Sequence, residues 1–469
     1  MDANATATCT FGARHFGRAD LGDQRRNRRL AQLADDVTGH PGGTLPDKLR
    51  HPKDLKAFYR LMNQPSVTHA SVLAPHQQLT HERMRDHDGV VLIIHDTTTL
   101  DYSSLTSLAA DLGQIGDGHG RGYLCHNTLA VAADSKEVLG LVNQILFHRP
   151  DAPRGETKKQ RQQRQTRESR LWKQGSMAVP PAPQGKLWVE ISDRGSDATE
   201  YLDYLEAQGK HYVIRAQHNR RVHVEVDGVP RSVKLFDYLR TQPEQGRRVI
   251  QLSERAERAA RTATVAVAWV RVTLVPPRQP RGEIRGVPLT VWALRVWELG
   301  VPADAEPVEW FLLTDLAIQT LDDAWPRVDW YCLRWIAEEF HKGMKTGCDI
   351  EALQFTSEQA LQPTIAFLSV VTLWLLWLRT ESRRPEAETK PAAAVFAQEY
   401  IEVVSLDRYR EVRPLTVREF CKVLARLGGH QNRKHDRPPG WLVLWRGWTK
   451  LHLMVQGARA IARKKCGQT

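Results

Sequence analysis

The order of apolar and polar positions divides the chain into stretches of different texture. From residue 1 to about 85, apolar residues recur near helical spacing, as at Leu21, Leu30 and Leu33, and Arg25, Arg26, Arg28 and Arg29 fill polar positions between them. This pattern predicts helices with a basic face. Behind Gly89 the texture becomes an unbroken β-branched and aliphatic run, Val90 to Ile94, which predicts a buried central strand. A glycine-rich turn over Gly113–Gly122 precedes two further strands, Leu129 to Ala133 and Val138 to His148. Residues 153–173 are polar and basic and predict an exposed segment. Leu187 to Ile191 reads as a strand, Thr199 to Gln208 as a helix capped by Ser196 or Asp197, and Tyr212 to Arg215 as a strand. From 220 to about 315 strand patterns recur with no long helical one, a β-rich insertion. Strong helical periodicity returns over 325–380.

The polar linker Ser382 to Lys390, with Pro385, sets off a last helical region at about 391–469. Three domains are therefore expected, 1–85, 86–380 and 391–469, in an α/β chain with helical flanks. The most apolar stretch, Ile365 to Leu378, is shorter than the roughly 20 residues a membrane span needs and predicts a buried helix.

Charge narrows the partners. The formal net charge is +12 over 469 residues, and a chain this basic is expected to meet a polyanion, most commonly nucleic acid. No two of the six cysteines stand at Cys-x-x-Cys spacing, which argues against a zinc ribbon and for reduced thiols in a cytosol. The first residues lack the basic start and apolar run of an export signal.

Three acids stand out against this frame. Asp96 is expected just past the end of one buried strand and Asp193 at the end of another, at the sheet edge where α/β folds build their sites. Strand-terminal aspartates also cap turns, so neither is decisive alone. The third lies in an expected helix with no break before Gly343. There Tyr331, Arg334, Glu338, His341 and Lys345 fall along one stripe, too polar for a core face. Arg334 and Glu338 would equally suit a salt-bridged surface helix. Together, carboxylates on rigid strands and a carboxylate among cations suit magnesium and in-line displacement at phosphorus.

These residues carry a resemblance. Asp96-Thr97-Thr98, Asp193-Arg194-x-x-Asp197 and Tyr331-x2-Arg334-x3-Glu338-x6-Lys345 match the three blocks of DDE transposases of the insertion-sequence-4 family. Leu21-Gly22-Asp23-x-Arg25-Arg26 resembles that family's N-terminal DNA-binding segment, and Leu444-Trp445-x-Gly447-Trp448 its C-terminal region.

The resemblance implies a ribonuclease-H-like (retroviral-integrase-like) catalytic core interrupted by the β-rich insertion and flanked by helical domains. It implies cut-and-paste transposition in a bacterial cytoplasm: nicking, hairpin formation and joining of 3′-hydroxyl ends to target DNA, by a homodimer that pairs two inverted-repeat ends, with no membrane involved. Asp96, Asp193 and Glu338 would hold two Mg2+ ions, with Mn2+ as a substitute. Tyr331, Arg334, Lys342, Lys345 and Arg215 would face DNA, as would Arg25 and Arg26. Trp310, which the pattern alone places in a core strand, would receive a flipped base, and Trp335 would stack as well. The other readings left open are an inactive DNA-binding relative and another two-metal nuclease of the same fold.

Overall fold

The computed structural model describes residues 10–466 apart from 41, 151–159, 161–166, 253–259, 277–285, 304, 434, 435 and 437. Five helices lead: α1 (Phe11–Phe16), α2 (Gln24–Gly39), α3 (Leu45–Lys48), α4 (Pro52–Met62) and α5 (His69–Asp86). Leu21, Leu30 and Leu33 are fully buried. Asp23 caps α2 by accepting the Arg25 N–H at 2.6 Å, which satisfies one of the free donors at the helix start.

The strands follow: β1 (Val91–Asp101), β2 (Gly113–Ile115), β3 (Gly120–Ala132), β4 (Val138–Phe147), β5 (Trp188–Ser192) and β6 (His211–Arg215). Between them lie α6 (Leu171–Met177) and α7 (Thr199–Ala207). Next come β7 (Arg221–Val226), β8 (Val229–Lys234), the short α8 (Leu235–Thr241), β9 (Gly246–Leu252), β10 (Arg261–Leu274), β11 (Leu289–Leu299) and β12 (Glu309–Thr314).

All twelve strands belong to one mixed sheet, in the order β2-β3-β1-β5-β6-β12-β11-β10-β7-β8, with β4 on β3 and β9 on β10. β1, β5 and β6 run parallel, and β3 and β4 are antiparallel to their neighbours. The strands expected as an insertion therefore extend the sheet itself, through β12 on β6, with Leu313 opposite Ile214.

Side chains alternate across the sheet. Leu92 and Ile94 enter the main core with Phe340 and Ile365. Val91 and Ile93 enter a smaller cluster with Met84 and Trp188 on the other face.

Helices close the chain: α9 (Leu321–Cys332), α10 (Trp335–Lys342), α11 (Glu358–Arg383), α12 (Gln398–Tyr409), α13 (Val417–Leu427) and α14 (Trp441–Cys466). α11 is the expected apolar helix, buried on nearly every side against α4, α5 and α14. Its polar residues Thr364, Ser369, Thr372 and Thr380 each donate to a carbonyl four residues earlier, which satisfies their hydroxyls within the helix, and Ser369 also accepts from Gln144 at 2.9 Å. α13 and α14 meet at glycines: a Cβ on Gly447 would stand 1.9 Å from the Leu424 carbonyl oxygen, and one on Gly428 1.9 Å from that of Val443. Trp448 of α14 donates to the Thr38 carbonyl at 3.1 Å and ties the last helix to α2.

Several expectations need correction. β1 runs on to Asp101, so Asp96 lies within a strand and not past its end. β3 pairs with β1 through Asp101↔Gly122, and that pairing sustains the extended backbone beyond the apolar run. Neither Ser196 nor Asp197 caps α7; Ala198 stands there. The buried Asp197 carboxylate instead accepts the Gln217 and His218 N–H groups at 2.7 and 3.0 Å and pairs with Arg220. Most of the basic stretch 153–173 lies outside the described residues. Within it, Arg167, Arg170 and Lys173 do not project freely but gather on Glu200 at 3.2, 3.4 and 3.8 Å.

Candidate active site

Register brings the two aspartates together. Ile94 of β1 is opposite Ile191 of the parallel β5, and His95 is opposite Ser192. Asp96 and Asp193 are the next positions, and both share the face of Ile94 and Ile191. α10 lies over that face, with Ile336 and Phe340 in the core beneath it and Glu338 toward the acids. Among the described residues, ligand atoms of Asp96, Glu338 and His341 lie within 4.8 Å of one another.

Arg334 links the acids. Its Nη1 donates to Asp96 Oδ2 at 2.6 Å, and its guanidinium reaches Glu338 Oε1 at 3.4 Å. The Thr97 N–H donates to Asp96 Oδ1 at 2.9 Å. Asp193 accepts the Gly195 N–H at 3.0 Å. Burial pushes the Asp96 carboxyl up to about 7; Arg334 pulls the other way, and the Glu338 and Asp193 charges add to the rise. Asp96 and Glu338, with the His341 nitrogen, form a donor set that could hold a divalent cation, and Asp193 lies outside that close group while its charge still acts on Asp96.

The expected single helix is interrupted. α9 ends at Cys332, and 3₁₀-type bonds carry the chain through Leu333 and Arg334, from Arg334 N–H to the Tyr331 carbonyl and from Ala337 N–H to that of Arg334. After α10 the chain widens into a π-helical turn over Gly343–Gly347. The polar stripe is therefore not one exposed face: Tyr331 and His341 are both 5% exposed. Tyr331 packs under the edge of Trp310, with ring centroids 5.4 Å apart, and the Arg215 guanidinium lies 5.7 Å from the Trp310 ring. Arg215, Trp310 and Tyr331 thus form one group beside Arg334.

The other expected residues are more dispersed. Lys345 pairs with Glu351 at 3.0 Å. Lys342 is exposed on α10, and Trp335, at its start, is half exposed. Arg25 is exposed on α2, whereas Arg26 donates to the Leu21 carbonyl and to Ser66 Oγ at 3.2 and 2.9 Å.

One neighbour of the site escaped sequence reasoning. Asn127 of β3 stands directly opposite Asp96. Its side-chain amide donates to His341 Nε2 at 3.1 Å, and its Oδ1 accepts from Gln144 at 2.8 Å. Burial holds His341 down at about 3, so it is neutral. The polar triplet His126-Asn127-Thr128 within an apolar strand was the available signal. On the opposite face, buried His95 bonds Glu190, which also accepts from Ser176 at 2.7 Å and Lys210 at 3.2 Å, and this polar layer clamps β1 to β5.

Comparison with known families gives two matches. Residues 8–67 match the model described as Transposase DNA-binding, and residues 189–374 match that described as Transposase DDE domain. The first covers α1 to α4 with Arg25 and Arg26. The second runs from β5 into α11 and contains Asp193 and Glu338. Asp96 lies in neither, and it is the fold that brings it beside Glu338.

Proposed function

Because this chain is a DDE transposase, a DNA-binding polynucleotidyl transferase and endonuclease, we propose that it performs cut-and-paste transposition in the manner of the insertion-sequence-4 family, to which the transposon five transposase belongs. The sheet run β4-β3-β1-β5-β6, with three parallel strands beside two antiparallel ones, supports a ribonuclease-H-like core within 86–380. The observation that carries the reading is the meeting of Asp96 of β1 with the α10 carboxylate Glu338, beside the register that ends the parallel β5 next to Asp193.

Asp96, Asp193 and Glu338 would hold two Mg2+ ions, or Mn2+ in their place. When bound, such ions supply activation of the nucleophile and stabilisation of the leaving oxygen in displacement at phosphorus. The protein's own groups do the positioning. Arg334, now bonded to Asp96, is within reach of a phosphate at the same place, and a guanidinium matches phosphate bidentately. Tyr331 and Arg215 extend that donor surface toward Trp310, whose ring receives a base turned out of the helix during hairpin formation. Lys342, Lys345 and Trp335 line the approach of the DNA on α10 and the turn after it.

Residues 1–85, with Arg25 and Arg26, would recognise the inverted-repeat ends, and 391–469 would join two copies in the synaptic complex. No membrane takes part: α11 is apolar enough to cross one, but its most apolar window is 83% buried inside the protein.

The test uses end duplexes taken from the DNA flanking the gene. Glu338→Gln should bind them like the wild type and lose nicking in Mg2+ by on the order of 10³-fold. Equal cleavage by the two proteins would remove the catalytic reading.

A further inference from the structure

The helices α11, α12 and α13 and the loop before α14 line a cleft of about 910 Å³ that no part of the catalytic site lines. Its cations come from four separate elements: Arg383 at the end of α11, Arg408 near the end of α12, Arg418, Lys422 and Arg426 on α13, and Arg433 in the loop before α14. Its one lining carboxylate is Asp436, whose Oδ2 accepts the Arg433 N–H at 2.8 Å. Arg418 is paired with Glu388 at 3.4 Å. Among the described residues, Arg408, Lys422 and Arg426 have no carboxylate within ion-pair distance.

The arrangement on α13 is periodic. Arg418, Lys422 and Arg426 recur every four residues and form one stripe, while Val417, Phe420 and Leu424 bury the other side. Like charges at this spacing lie about 6 Å apart along the axis and destabilise the helix that carries them. A polyanion laid along the stripe turns that repulsion into attraction, because each neutralised phosphate releases its counterion.

The cleft is built from guanidinium and ammonium groups, which suit phosphate, and its amide is already engaged. Its one side-chain amide, Asn432, donates to the Lys422 carbonyl at 2.9 Å and meets His430 through its oxygen at 2.7 Å. Phosphate contacts without base contacts position DNA irrespective of sequence. None of its residues falls within 8–67 or 189–374, the stretches matched to the transposase DNA-binding and DDE-domain models. It nevertheless adjoins the catalytic helix: Arg379, one turn before Arg383 on α11, pairs with Glu339 of α10, the neighbour of Glu338.

We propose that this cleft seats the phosphodiester backbone of the target duplex, the DNA that a transposase must accept whatever its sequence. The proposal rests on the transposase reading above. The full-length double variant Lys422→Glu/Arg426→Glu tests it, with Lys422→Ala/Arg426→Ala as a milder pair should charge reversal impair folding. Joining of pre-cut ends to a plasmid should fall at least about tenfold, while nicking of uncut end duplexes stays at the wild-type rate. The log–log salt dependence of binding to an unrelated duplex should lose about one in slope per cation removed. Unchanged joining and slope would overturn the proposal. So would nicking that falls in step with joining, because the cleft would then belong to end binding. If the wild type fails to nick, the transposase reading fails by itself, and the salt slope still decides whether the cleft binds DNA.

Discussion

Asp96 concentrates the electrostatic problem of the site. Its carboxyl titrates near 7 in the folded protein because burial disfavours the charge, whereas an unfolded aspartate titrates near about 4. The folded state therefore holds the extra proton between those values, and stability falls as pH rises through that window, by about 1.4 kcal/mol per pH unit at most. Thermal melts of metal-free protein should show this fall, and Asp96→Asn should flatten it. Adding Mg2+ above pH 7 should raise the melting temperature of the wild type more than that of the variant; equal gains would mean that Asp96 is not a ligand. Trp310 permits a second test. Trp310→Ala should cost about 1–3 kcal/mol of stacking, a roughly five- to 150-fold loss of hairpin product with first-strand nicking largely kept. An unchanged hairpin yield would return the ring to a packing role. The acids themselves were legible in the sequence, since a carboxylate directly after an apolar run is visible without a structure. Asn127 was not, nor was its meeting with His341, because that depends on the register of β3 against β1.

Among the elements, the long apolar helix and the strands β5 and β6 were foreseen closely, whereas β1 runs past its expected end and the helix expected to continue through Glu338 is interrupted. Nothing in Leu333-Arg334 forbids a helix. The tighter bonds there accompany the docking of Arg334 on Asp96, a tertiary effect no local pattern encodes. The meeting of α13 and α14 was equally hidden, although its glycines are plain in the sequence. Gly447→Ala would drive a methyl into the Leu424 carbonyl and should cost about 1–3 kcal/mol in thermal unfolding. Gly457→Ala, on the same helix with nothing within 4 Å of its added Cβ, should instead stabilise by up to about 1 kcal/mol. A gain in Gly447→Ala like that in Gly457→Ala would show that helix propensity decides both and that the close approach to Leu424 costs nothing.

For the molecule as a whole, the sequence conveyed a β-rich stretch between the second and third acids but not its attachment. Strand patterns reveal pairing faces, whereas neighbours along a sheet are chosen by contacts distant in the chain. The outcome bears on how DNA is handled. Trp310 sits on β12, hydrogen-bonded to β6, which is bonded in turn to β5 and its Asp193. No hinge separates the ring from the acids; the two are fixed on one woven plate. The span between a phosphate under attack and a base drawn out beside it is thus set like the gap of a caliper. DNA whose backbone cannot stretch to that gap would be refused, however well its letters fit.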